Sequence, residues 1–240
     1  MIAPSVAGGL TLTLTAEPTS RPYIDMTIGL MRRFGAVVTC EGDEINVHEG
    51  SYSAADIEVE ADWSAASYWL ALQTLLPASR ITLHGLRADS IQGDRRIIEQ
   101  LTALTSRPTM LSLDFSDAPD IAQTMTAAAC VAGQPFHFTG LHTLRIKETD
   151  RIAALQAELS KLGYTLRSDI DDTLTWDGTR GAEQPCPVIE TYDDHRMAMA
   201  MAIAATRHSG IIIRDAQVVS KSYPDFWKQL AETGAEIREL

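Results

Sequence analysis

The chain has 240 residues, 45% hydrophobic and 22% charged, which is ordinary globular composition with room for one large domain or two smaller ones. A formal net charge of -12 argues against nucleic acid or an anionic membrane as the main partner, though not against a local basic pocket for a small anion. Cys40, Cys130 and Cys186 are few and far apart. With no CxxC or HExxH spacing, no apolar run near a membrane span and no signal-peptide start, they point to a reducing, cytoplasmic setting without a disulfide framework or metal motif.

Taken in order, the chain repeats one unit: an alternating strand, a turn, a helix opening on an acid, a Gly or polar break, then another strand. Met1-Ile-Ala-Pro reads as the tail of a buried helix, so the chain is expected to begin inside a unit. The first copy predicts a strand over Leu10–Thr15, the turn Ser20-Arg-Pro-Tyr-Ile-Asp25 and a helix to Phe34-Gly35, then a hairpin of Val37–Cys40 with Ile45–His48. A domain junction is expected near Ile57–Ala61. The second copy predicts a strand over Ile81–Leu86, the turn Ser90-Ile-Gln-Gly-Asp94 and a helix through Ile97, Ile98 and Leu101. The third has Phe136–Leu141, Lys147–Asp150, a helix ending at Leu162-Gly163, and Leu166 paired with Leu174–Trp176. The fourth has Ile211–Ile213, Lys221-Ser-Tyr-Pro-Asp225 and a helix from Phe226 through Leu230 to Gly234. Asp25, Asp94, Asp150 and Asp225 stand where N-caps belong, and Gly35, Gly163 and Gly234 where left-handed helix ends belong.

Between these units lie three helices of another kind. They begin at Asp62, Asp120 and Asp194 and are small and apolar on nearly all sides, as buried helices are. The Asp-headed helices and the strands shift along the chain together, which supports a true repeat. The fold class expected is α/β: βαβαββ units arranged around buried helices, with pseudo-threefold character.

Chemistry concentrates in Arg145-Ile-Lys-Glu-Thr-Asp-Arg151. Ile152, Leu155, Leu159 and Leu162 make an apolar helical stripe directly after it. Thr149 or Asp150 can cap that helix, leaving Lys147 and Arg151 near its positive N-terminus, a place for cations only if an anion answers them. The repeat places its turns at corresponding strand ends. One face would therefore receive Ser20, Tyr23, Gln92, Asp120, Lys147, Glu148, Arg151, His195, Arg196 and Lys221, a set suited to binding a small polyanion and moving protons around it. Plainer readings stand beside this one. The charge run would be a solvated helix start, Asp62, Asp120 and Asp194 simple N-caps, and His195 a hydrogen-bonded structural residue. Trp63, Tyr68, Trp69 and the Met197, Met199, Met201 alternation are core filling.

Ser20–Asp25, Asp89-Ser-Ile-Gln-Gly-Asp94, Arg145–Arg151, Tyr192-Asp-Asp-His-Arg-Met-Ala-Met199 and Lys221-Ser-Tyr-Pro-Asp-Phe226, in this order, resemble the EPSP synthase (3-phosphoshikimate 1-carboxyvinyltransferase) family of enolpyruvyl transferases. The resemblance implies two halves of three repeated units closing over substrate. Residues 1–60 would be the end of the first half and 61–240 the second. It implies enolpyruvyl transfer from phosphoenolpyruvate to the 5-hydroxyl of shikimate-3-phosphate, a step of aromatic amino acid biosynthesis, with no cofactor. Ser20, Tyr23, Asp120 and Lys147 would meet shikimate-3-phosphate, Asp120 taking the hydroxyl proton. Glu148 would protonate the methylene carbon of phosphoenolpyruvate, held by Lys147, Arg151, Arg196 and Lys221 with His195 beside them. Thr143 replaces an asparagine of some members. The family's N-terminal Lys-Ser pair, Asn-x-Gly turn and Ser-Ser-Gln segment are not in this chain, so a C-terminal portion, inactive or nearly so without its N-terminal partner region, is expected. A non-catalytic scaffold of the same fold and transfer to a UDP-sugar are the alternatives.

Overall fold

In a computed structural model of the chain, described over residues 1–16, 18, 21–169 and 172–239, the elements follow an α/β order. After a single 3-10 turn at Ala3–Ser5, β1 (Leu10–Thr13), α1 (Arg21–Arg33), β2 (Val38–Glu41) and β3 (Glu44–Val47) form the first unit. Its sheet is antiparallel in the order β1-β3-β2, with Val38 and Leu10 both opposite Val47. A small core of Ile28, Met31, Val38, Ile45 and Val47 closes it.

The remainder is built on crossovers through buried helices. They are α2 (Trp63–Leu75), α4 (Ala122–Ala132) and α6 (His195–Ala204), which pack on one another. Alanines permit that close approach: Ala127, Ala128 and Ala129 of α4 have no exposed surface. β4 (Leu111–Asp114) runs parallel to β5 (Phe136–Thr139) across α4, and β7 (Val188–Ile189) runs parallel to β8 (Ile212–Ile213) across α6. β6 (Leu174–Trp176) adds antiparallel to β5. Outer helices α3 (Ile97–Thr105), α5 (Arg151–Lys161) and α7 (Phe226–Glu232) complete the layers. Ile152, Leu155 and Leu159 of α5 and Leu162 at its end are fully buried, and Trp63, Tyr68, Trp69, Met197, Met199 and Met201 are buried.

Asp62, Asp150 and Asp194 are true N-caps, their carboxylates accepting from the N–H groups of Ser64, Ala153 and Arg196. Gly35, Gly163 and Gly234 hold the expected left-handed φ of 86°, 83° and 98°. Four expectations need correction. Asp25 is no cap: α1 already begins at Arg21, where Pro22 suits a first helical turn, and Asp25 instead pairs with Arg21 at 2.9 Å. Asp94 sits inside the 3-10 turn Gly93–Arg96, and its carboxylate meets the Ser64 hydroxyl rather than an N–H. Asp225 occupies the cap position of α7 without a side-chain cap bond. Ile81–Leu86 forms no strand among the described residues. It runs beside Ala61, whose N–H reaches Gly85 O at 2.9 Å, while Ile81, Leu83 and Leu86 pack on the core, so the alternation reports packing rather than a ladder. β4 was not anticipated from the sequence. Cys40, Cys130 and Cys186 are free thiols, and no helix is long and apolar enough to cross a membrane.

Candidate active site

The 3-10 turn Pro119–Ile121 at the head of α4 aims Asp120 at the first turns of α5 and α6. Asp120 Oδ1 lies 3.3 Å from Arg151 Nη1 and 3.5 Å from Lys147 Nζ. Its Oδ2 lies 3.1 Å from Arg196 Nη2 and accepts the Tyr23 hydroxyl at 2.9 Å. Burial alone would push this carboxyl up. The charges of Arg196, Lys147 and Arg151 and the Tyr23 hydroxyl outweigh it and hold Asp120 below the usual carboxylate range. Tyr23 keeps nearly half its side chain exposed, but its hydroxyl is shielded against that carboxylate, and partial desolvation with the Asp120 charge pushes it well above an ordinary phenol.

Arg151, at the first position of α5, is 1% exposed and carries three carboxylates at once. Its Nε donates to Asp194 at 2.7 Å, Nη2 to Glu148 at 2.5 Å, and Nη1 to Asp120. Glu148 keeps about a third of its side chain exposed, at 37%. Arg196 also donates to the Asp120 carbonyl at 3.3 Å. Lys221 stands one residue further out, with Nζ 2.8 Å from both the carbonyl and the carboxylate of Asp193. His195 is nearly buried; burial and the Arg196 charge lower its pKa, and its Nδ1 has no partner among the described residues. Thr143 Oγ1 is likewise buried without one.

Asp120, Lys147, Glu148, Arg151 and Arg196 are thus one network joined by Tyr23, and Lys221 and His195 flank it through Asp193 and Asp194. Ser20 lies outside the described residues. Gln92 is occupied structurally: it accepts from Trp63 N and donates to Glu60 and Ala61 O. It still lines, with Tyr23, Met26, Asp62, Asp94 and Arg196, a cleft of about 270 Å³ between the first unit and the rest. A larger hollow of about 380 Å³ lies at the opposite helix ends, around Leu75, Leu104, Ala132 and Arg207. No acid lines it and no residue of the network reaches it, whereas Tyr23 and Arg196 of the network line the smaller cleft.

Two residues here were not anticipated as site residues. Asp194, fully buried, caps α6 and orients Arg151 with the same carboxylate; a cap motif shows only the first task. Asp94, buried beside Ser64 and near Asp120, is pushed up to about 6, chiefly by burial. Lining the cleft with Asp62, it is the nearest candidate for a third acid. Among the described residues no group of three or more His, Cys, Asp or Glu could hold a metal ion. Four cations face four carboxylates (Asp120, Glu148, Asp193, Asp194), so an arriving polyanion can take over cations now neutralised by protein acids.

Residues 1–230 match the family described as EPSP synthase (3-phosphoshikimate 1-carboxyvinyltransferase). A 3-phosphoshikimate 1-carboxyvinyltransferase of Bacteroides fragilis is 45% identical over 99% of this chain and 62% of its own length. One from Methanospirillum hungatei is 35% identical over 95% of this chain and 57% of its own length. The chain therefore spans about three fifths of the length of these curated relatives. An EPSP synthase from Acinetobacter baumannii shares the fold with a TM-score of 0.71 at 23% identity, over 93% of this chain and 56% of that one. The enolpyruvyl transferase NikO from Streptomyces tendae does so with a TM-score of 0.62 at 16% identity, over 95% and 56%.

Proposed function

This chain belongs to the EPSP synthase family, and from that premise we propose that its site transfers the enolpyruvyl group of phosphoenolpyruvate to the 5-hydroxyl of shikimate-3-phosphate. The observation that carries the reading is Asp120, one carboxylate contacted by Lys147, Arg151, Arg196 and Tyr23 together.

In this reading the phosphate and carboxylate of phosphoenolpyruvate replace protein acids on Arg151, Arg196, Lys147 and Lys221, with His195 packed beside them. Ser20 and Tyr23 contact shikimate-3-phosphate from the first unit. Glu148, released from Arg151 and open to solvent, takes up a proton from water and gives it to the methylene carbon, C3, and positive charge develops at C2. Asp120 takes the proton of the 5-hydroxyl as that oxygen bonds to C2. The bound cations stabilise the tetrahedral intermediate. The C2–O bond to phosphate then breaks, and the Glu148 carboxylate takes a proton back from C3 to restore the enol ether. Asp120 suits this timing. Its cations make it a weak base at rest, and substrate anions that neutralise Arg196, Lys147 and Arg151 raise its basicity once both substrates are bound. The chain's own residues supply every proton transfer, without a cofactor.

We also propose that residues 1–60 are the end of one globular half and 61–240 the other, consistent with two separate apolar cores. The exposed apolar side chains of the first unit, among them Ile2, Leu10, Leu12 and Val59, would pack on a further region like the part of the relatives that this chain does not match, in a cytoplasmic enzyme. No observation favours the scaffold or UDP-sugar reading. The test is phosphate release from phosphoenolpyruvate, with either shikimate-3-phosphate or a UDP-sugar as acceptor, by the chain alone and joined to such a region. Release only in the joined form and only with shikimate-3-phosphate supports the reading; release with the UDP-sugar, or none in a folded joined protein, refutes it.

A further inference from the structure

Tyr192 and Asp193 are consecutive non-glycine residues in the left-handed region, with φ of 54° and 56°. Each such residue is strained and persists only where its surroundings fix it. The turn they make delivers Asp194, His195 and Arg196 to the head of α6. It also offers the Asp193 carbonyl and carboxylate to Lys221. What fixes the turn is α5, at two points seven residues apart and so on one face of the helix. Arg151 holds Asp194. Two turns further on, Glu158 is 1% exposed and its carboxylate is fully used. Oε1 accepts the Tyr192 hydroxyl at 2.7 Å, and Oε2 accepts Glu190 N at 3.0 Å and Lys161 Nζ at 2.6 Å. Lys161 continues the clamp by donating to Val188 O at 2.8 Å. This buried carboxylate, which with Lys161 holds the segment Val188–Tyr192, has no use in the proton transfers and touches none of the reacting groups.

We infer that Glu158 is a positioning residue for the anion-binding end of the site: through Glu190 and Tyr192 it holds the left-handed turn that places His195, Arg196 and the partner of Lys221. The ligand half of this inference rests on the function proposed above; the structural half does not.

Two variants test it in the 240-residue chain and in the joined protein: Glu158→Gln, and Tyr192→Phe, which deletes one hydroxyl from a partly exposed ring and keeps the fold if Glu158→Gln does not. Amide hydrogen exchange reads the turn directly, because Asp194 N is bonded to Thr191 O and Arg196 N to the Asp194 carboxylate. Losing a hydrogen bond to a buried charge should speed exchange at Asp194 and Arg196 by roughly tenfold or more, with the amides of β5 and β6 unmoved. In the joined protein KM for phosphoenolpyruvate should rise by a similar factor while KM for shikimate-3-phosphate stays. Unchanged exchange at Asp194 and Arg196, or a uniform rise across the domain, overturns the inference. So does faster local exchange with an unchanged phosphoenolpyruvate KM, which is the mark of a merely structural clamp. If the wild-type joined protein binds no phosphoenolpyruvate, the proposed function falls, and the exchange comparison still decides whether Glu158 holds the turn.

Discussion

The Tyr23 hydroxyl donates to Asp120 at 2.9 Å across 97 positions of chain, joining the first unit to the head of a buried helix of the second. Tyr23 is pushed up by burial and by this carboxylate, while Asp120 is held down in part by this hydroxyl. Replacing Tyr23 by Phe removes one of the contacts that keep Asp120 ionised. The carboxyl should titrate at higher pH in Tyr23→Phe, and the acidic limb of the pH–rate profile of the joined protein should move the same way. Carboxyl carbon NMR of Asp120 checks the first, and initial rates across pH check the second.

Glu148 is the most exposed acid bonded to Arg151, so its loss should harm chemistry more than folding. Glu148→Gln should lower turnover by about 10²–10⁴-fold, the usual worth of a positioned proton donor. Unfolding free energy should change by less than about 1 kcal/mol, as for a solvated ion pair. Steady-state kinetics beside urea denaturation separates the two; a wild-type rate would remove Glu148 from the proton transfer.

Asp194 carries the opposite expectation. Arg151 is almost wholly buried, and Asp194 is its partner with no exposed surface. Asp194→Ala leaves a buried guanidinium with less compensation and uncaps α6, and should cost about 3–5 kcal/mol of stability. A denaturation midpoint within error of wild type would contradict the pairing.

Asp94 makes stability depend on pH in a definite direction. Its folded pKa, about 6, lies above the ordinary 3.8, mainly because burial penalises the charged form. Between those values the folded state holds a proton that the unfolded state has released. The contribution is therefore complete below about pH 4 and is lost as pH rises through 6. Asp94→Asn removes the titration, so wild type should lose about 2 kcal/mol relative to that variant between pH 4 and pH 7. A constant difference across that window would show that Asp94 does not titrate there.

Much of this was legible because the signals were local. Asp62, Asp150 and Asp194 cap helices as their spacing indicates, and the α5 stripe and the alanine-rich helices are buried as their periodicity indicates. Asp25 misled because Pro22 lets the helix begin earlier, and Ile81–Leu86 because alternating apolar residues pack on a core with or without a ladder. β4 went unseen because Leu111–Asp114 is short and ends on an acid. The second duty of Asp194 and the clamp from Glu158 depend on which side chains meet across tertiary distance, which no spacing within one element reveals.

The most direct measurement of the central claim, that these cations and acids form one anion-binding site, is NMR of the arginine side chains during titration with phosphoenolpyruvate in the presence of shikimate-3-phosphate. The joined protein should show saturable shifts of the Arg151 and Arg196 Nε–H signals with a single dissociation constant, weakened together in Lys147→Ala. Two unrelated constants, or no movement of either signal in a folded protein at millimolar ligand, would contradict it.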